Sequence, residues 1–161
     1  MLLIVIICLA IIIAVLVYEV IRREITKHAT LIVRNDAQRN TDQAMKEAVK
    51  SLVTHQIVRP NEIDFGESQT VADVWGKGVM AFEYVLHSDL VEKIDLKQVH
   101  QVLNQGLAQY ENDHQISRVP KAQEAFLVTD AWVYEQQLHI DVAYIINDAT
   151  YQYIYDLKKI S

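Results

Sequence analysis

Glycine and proline are absent from the first 59 residues, and charge is absent from the first 17. Nothing in that stretch breaks a helix before Arg59-Pro60, and nothing in its opening resists burial. Cysteine is nearly absent as well. Cys8 stands alone inside the apolar opening, which excludes an intramolecular disulfide and a cysteine metal cluster. It does not suit lipid attachment either, because Ile6 and Ile7 precede it where a small residue is needed. Positive charge is in deficit: the formal net charge is −6, which argues against a nucleic-acid partner for want of a basic face. The richest basic stretch, Arg22, Arg23, Lys27 and Arg34, is interleaved with Glu19 and Glu24. There is no internal repeat, low-complexity tract or long linker, the nearest to one being the polar stretch 112–121 around Pro120.

What is present begins with LLIVIICLAIIIAVLV, residues 2–17. A bilayer core takes about 20 apolar residues at ~1.5 Å each. Residues 2–18, extended by Val20 and Ile21, meet that length. A cleaved secretory signal would show a basic start and a small-x-small site, and neither is found. Tyr18, followed by Arg22 and Arg23, suits an interfacial anchor. The expectation is a retained transmembrane or filament-core helix over residues 1–21, packed through Leu2, Ile6, Leu9, Ile13 and Leu16. The chain is then a single-pass membrane protein. If Met1 is the initiator, the cations after the helix place the remainder in the cytoplasm. If residue 1 is a processed end, the argument reverses, and the expected location is extracytoplasmic or on the cell surface.

Residues 22–58 read as an amphipathic continuation of the same helix. Ile21, Ile25, Ala29, Ile32 or Val33, Ala37, Ala44, Ala48, Leu52 and, less regularly, Ile57 recur mostly at spacings of three and four, with a polar gap from Gln38 to Gln43, so one face is apolar. Asn40-Thr41-Asp42 is a candidate restart with its own cap. Residues 59–161 read as a small α+β domain. Residues 62–65 are short and suit an extended segment. Ser68 caps a second helix, with Val71, Val74, Trp75, Val79, Phe82, Val85 and Leu86 on one face and Gly76 and Gly78 weakening it. Asp95-Leu96-Lys97-Gln98 resembles a capping box and opens a third helix that ends near Asn112.

From Phe126 the period changes to two. Residues 126–134, then Leu138, Ile140, Val142 and Tyr144, then Tyr151, Tyr153 and Tyr155 read as strands. Glu135-Gln136 and Asn147-Asp148 supply the turns. The expected class is α+β: a long N-terminal helix with a transmembrane first third, two further helices, and a C-terminal antiparallel β-meander of three to four strands.

No catalytic, cofactor-binding or metal-binding constellation is legible. Of the six histidines, His28, His55, His87, His100, His114 and His139, none forms an H-x-x-x-H or H-E-x-x-H pair. His87-Ser88-Asp89 and Asp113-His114 fall near helix ends, where histidine meets the last carbonyls. No serine sits in a G-x-S-x-G elbow, and Gly76-Lys77-Gly78 lacks the order of a phosphate loop. Glu62/Asp64 and Asp141/Asp148 read as solvent-facing acids. The tyrosine stripe Tyr144, Tyr151, Tyr153 and Tyr155 is either core beneath the helices or an aromatic surface for a partner, with core favoured.

The order of parts resembles type IV pilin-like proteins, including the minor pilins of tight-adherence pili. The segments that carry the resemblance are LLIVIICLAIIIAVLV, AQRNTDQAMKEAVKSLV, IDF with FEYVL, and the strands from Phe126. The chain departs from that pattern at residue 5, where Val5 stands in place of a glutamate. The resemblance implies a non-enzymatic assembly subunit, with no cofactor and no small-molecule substrate, that meets copies of itself or other envelope subunits. The alternative is a bitopic scaffold or binding subunit of a secretion or conjugation complex that forms no filament.

Overall fold

In the computed structural model, helix α1 takes the whole of Leu2–Thr54. The structure describes residues 2–71, 78–87 and 94–160, and within these the side chains other than those of 2–8, 10, 26–30 and 160. Two units divide the chain, Met1–Asn35 and Asp36–Ser161. The boundary falls inside α1, so the last third of that helix belongs to the folded domain.

Among the described residues, no helix is long and apolar enough to cross a membrane. This overturns the expected transmembrane segment over residues 1–21. The single-pass membrane localisation rested on that segment and falls with it. The apolar run 2–18 meets Glu19, Arg22, Arg23 and Glu24 directly after Tyr18. Its 17 residues make about 26 Å of helix, against a bilayer core of about 30 Å. Leu2 and Ile6 have side chains outside the described residues. Leu9, Ile13 and Leu16 are exposed.

Within Asp36–Ser161, α1 buries Ala37, Thr41, Ala44, Met45, Ala48, Val49 and Leu52, a stripe at helical spacing. The helix runs on through Asn40-Thr41-Asp42, and Thr41 turns its hydroxyl back to the Ala37 carbonyl at 2.8 Å rather than capping a new helix. It stops before Pro60 for a local reason. Gln56 takes a left-handed φ of 59°. Its N–H donates to the Val53 carbonyl and that of Ile57 to Leu52, each at 2.9 Å. This is a Schellman closure, with Ile57 buried as its hydrophobic contact.

Helix α2 (Leu96–His114) begins as expected, with Asp95 accepting from the N–H groups of Lys97 and Gln98. It ends as α1 does. Gln115 has a φ of 52°, and the Ile116 N–H donates to Glu111 at 3.2 Å. The segments His55-Gln56-Ile57 and His114-Gln115-Ile116 are thus one helix-stop device used twice. In both, the histidine Nδ1 meets the carbonyl four residues back, at 2.8 Å for His55 and 3.0 Å for His114.

Among the described residues, four strands form one antiparallel sheet in the order β1-β2-β4-β3: β1 (Gln69–Thr70), β2 (Ala81–His87), β3 (Phe126–Tyr134) and β4 (Gln137–Tyr144). The β3–β4 hairpin turns at Glu135 and Gln136, both left-handed, as a two-residue loop that matches the strand twist. The helix expected from Ser68 is instead β1 and β2, with 72–77 and their Val74, Trp75, Gly76 and Lys77 outside the described residues. The reason is the period of AFEYVLH: Phe82, Tyr84 and Leu86 are buried on one face while Glu83 and Val85 lie on the other. Residues 62–65 form no strand, and Glu62 is buried, accepting from the Arg59 N–H at 2.7 Å.

The third strand of the expected meander is helix α3 (Asp148–Ile160). Asn147 caps it, accepting from the Thr150 N–H at 2.8 Å. Asp148 in the first turn and Lys158 and Lys159 in the last suit the helix dipole. Tyrosines at every second position are compatible with a strand. Thr150, Tyr153, Ile154 and Leu157 equally trace a helical face, and that face is the one turned inward.

The sheet has a core on each side. On the inner face, Phe82, Tyr84, Leu86, Ile140, Val142 and Val128 pack with α1 and α2. Gly106 of α2 lets α1 approach, because a Cβ there would lie 3.0 Å from the Ala48 Cα. On the outer face, Ala81, Ala143, Ile145 and Ala122 pack with Ile154 of α3, flanked by Tyr151 and Tyr153. Buried Glu111 ties α2 to the chain entering β3, accepting from the Ala125 N–H at 2.7 Å and from Arg118.

Candidate functional site

Antiparallel pairing sets side chains of adjacent strands directly opposite one another. On the outer face this makes a row of carboxylates. Glu83 of β2 stands opposite Asp141 of β4, and Asp141 stands opposite Asp130 of β3. The register of β3 and β4 shifts between Val128 and Asp130, so Thr129 is an extra bulged residue beside Asp130. The Thr129 hydroxyl reaches the Asp141 carbonyl at 3.3 Å. Like charges directly opposite one another are destabilising, so such a row calls for a reason.

Among the described residues, one neighbour can carry positive charge. His139 lies in the next row, and its Nδ1 meets Glu83 Oε1 at 2.7 Å. Its side chain is 13% exposed and that of Glu83 26%. The indole of Trp132 stacks on the imidazole, with centroids 5.1 Å apart and planes 16° off parallel. Tyr134 approaches the same ring edge-on at 6.3 Å. Among the described residues, no lysine or arginine pairs with Glu83, Asp141 or Asp130. Two atoms, Asp141 Oδ1 and His139 Nε2, are enclosed with no hydrogen-bond partner among the described residues.

Burial first, then the facing carboxylates Glu83 and Asp130, push the Asp141 carboxyl up to about 7, with His139 pulling it back. It therefore exchanges its proton near neutrality, which is the chemistry this arrangement offers. From α3, half-buried Tyr153 packs on the outer-face core and shares a hydrogen bond with Thr129 beside the row. Burial and the charges of Asp141 and Asp130 raise its hydroxyl above the usual tyrosine range. No group of three His, Cys, Asp or Glu among the described residues could hold a metal ion.

An open groove of about 510 Å³ lies between α1 and α2, lined by Lys46, Lys50, Gly106, Tyr110 and His114 among others. Its charges are solvated surface pairs, as in Lys50 with Glu47 at 2.7 Å, both more than half exposed. Such pairs are held in solvent, and the outer face of the sheet, with the enclosed Asp141 oxygen, is the stronger candidate.

The tyrosine stripe is split by the fold. Tyr144 is buried in the inner core against Phe126, with ring centroids 4.7 Å apart. Tyr151 and Tyr153 are half-buried on the outer side, and Tyr155 is exposed with Lys159 over its ring at 4.2 Å. These four do not form one surface. The acids read from sequence also part company: Asp141 is in the row, while Asp148 is exposed and pairs with Lys121 at 2.7 Å. Glu83 and His139 carry no motif. The one signal that bears on them is their place on the polar side of alternating segments.

Compared with protein families, with curated proteins and with solved structures, the chain has no match.

Proposed function

We propose that this protein is an assembly subunit that joins further copies of itself through the apolar part of α1 and carries Asp36–Ser161 as its folded domain. One observation supports this reading above others. From Leu9 to Ile25, eleven large apolar side chains, among them Ile11, Ile12, Ile13, Val15, Leu16 and Val17, are each more than half exposed. Three consecutive residues span most of a helix circumference at ~100° each, so these surround the helix rather than striping it. A surface of that kind on a chain in water calls for cover. A single neighbour covers one side, so cover on all sides takes a bundle or a filament core. Leu9, Ile13 and Leu16 are then packing residues. Glu19 and Arg22, already 3.5 Å apart within one chain, offer both signs of charge to a neighbouring copy. The likeness of layout to type IV pilin-like proteins favours the filament form.

Sedimentation and negative-stain microscopy test the reading. The wild-type chain is expected to sediment as an assembly at micromolar concentration, and Ile11→Lys with Ile12→Lys to sediment as a monomer with an unchanged circular-dichroism spectrum for the folded domain. A wild type that stays monomeric overturns the proposal, as does a double variant that assembles equally well. Regular fibres favour the pilin-like form, and closed particles of fixed size favour a discrete bundle.

A further inference from the structure

The outer face of the sheet carries ionisable side chains that α3 covers without neutralising. The relevant groups come from every element that meets there. Strand β2 contributes Glu83, β3 contributes Asp130, β4 contributes Asp141 and His139, and α3 contributes Tyr153. Two anchors of α3 lie at its start. The Thr150 hydroxyl accepts from the Met80 N–H at 2.9 Å, and the Asn147 amide donates to the Gly78 carbonyl at 2.8 Å. Beyond them the helix is held by Ile154 and Tyr153 on the outer face. The start of α3 is therefore pinned by these hydrogen bonds and the exposed Lys121–Asp148 pair, and its middle lies beside a carboxylate row whose central member has an enclosed oxygen with no partner among the described residues.

We propose that the row Glu83–Asp141–Asp130 beneath Tyr153 is a proton-operated latch on α3. With Asp141 protonated, the row holds at most two negative charges and the helix lies down on it. With Asp141 ionised, three adjacent carboxylates face one histidine, and the middle of α3 loosens while Asn147 and Thr150 hold its start.

The sign follows from linkage. The carboxyl titrates near 7 in the folded chain, above the ordinary aspartate value of 3.8. The folded state thus binds the extra proton between those values, and stability contributed by it is full below about pH 4 and lost as pH rises through about 7. Partial solvent access screens the repulsion, so the effect is smaller than a fully buried carboxylate would give.

Hydrogen exchange of the full chain at pH 5.5 and pH 8.5, corrected for intrinsic rates, tests the latch. The wild-type amides of residues 153–157 are expected to lose protection by roughly tenfold at the higher pH, while those of β4 change less. Asp141→Asn, uncharged and of the same size, is expected to keep its protection at both. An equal loss in Asp141→Asn, or no loss in the wild type, overturns the proposal. Carboxyl-carbon NMR provides an independent measurement in the wild type and in two milder variants. The Asp141 midpoint is expected to fall in Glu83→Gln and to rise in His139→Gln. Midpoints that do not move in either variant overturn the coupling on which the latch depends.

Discussion

The Tyr84 hydroxyl donates to Asp42 Oδ1 at 2.8 Å, across 42 residues of sequence. The same oxygen accepts from the Ser68 hydroxyl at 2.7 Å, and Gln38 donates to Ser68 from one turn earlier on α1. This network sets the azimuth of α1 on the sheet, since an apolar stripe alone permits small rotations. Burial, with the charge of Asp42 behind it, raises the tyrosine hydroxyl well above its ordinary range, so it remains a donor at all physiological pH. Tyr84→Phe keeps the ring and its edge contact with Phe65 but removes the donor. The expected loss is about 1–2 kcal/mol in urea denaturation, with an unchanged denaturant slope.

The two helix stops invite the opposite change. Gln56 and Gln115 hold left-handed backbone that costs an L-residue about 1 kcal/mol and costs glycine little. Gln56→Gly and Gln115→Gly are each expected to raise stability by about 0.5–1 kcal/mol, and to add when combined. Gln105→Gly, an exposed position inside α2, is the control and is expected to cost about 1 kcal/mol. Thermal melts of the four variants decide it.

Gly106 is used for space rather than for backbone freedom. A Cβ there would meet the Ala48 Cα at 3.0 Å, the Ala48 Cβ at 3.2 Å and the Ser51 hydroxyl at 3.2 Å. Gly106→Ala gains helix propensity of about 1 kcal/mol and spends a similar amount on the contact, so its midpoint is expected to stay near wild type. Gly106→Val adds two methyl groups to the same gap and is expected to lose about 2–3 kcal/mol. Ser51→Ala is expected to recover part of that loss in a double-mutant cycle, which identifies the α1–α2 contact as the cause.

Local chemistry made part of this fold readable in advance. The breaker-free start, the Asp95 cap, the alanine-rich stripe of α1 and the turn at Glu135-Gln136 all act over a few residues. Each therefore leaves its mark in the sequence next to the element it builds. The apolar opening was readable as apolar, but its length as a membrane span was not sustained among the described residues. Segments whose local pattern allowed two answers were decided by what they pack against. Residues 81–87 became an inner strand because β4 pairs along their whole length. Residues 148–160 became a helix because Asn147 and Thr150 reach Gly78 and Met80, about 70 residues earlier. The candidate site belongs wholly to this second kind. Glu83 and His139 touch across 56 residues, and Asp141 has its unusual proton affinity first because it is buried and then because the sheet register places two carboxylates opposite it. Side-chain identity supplied the acids. Register and burial, which arise from long-range pairing, supplied their chemistry.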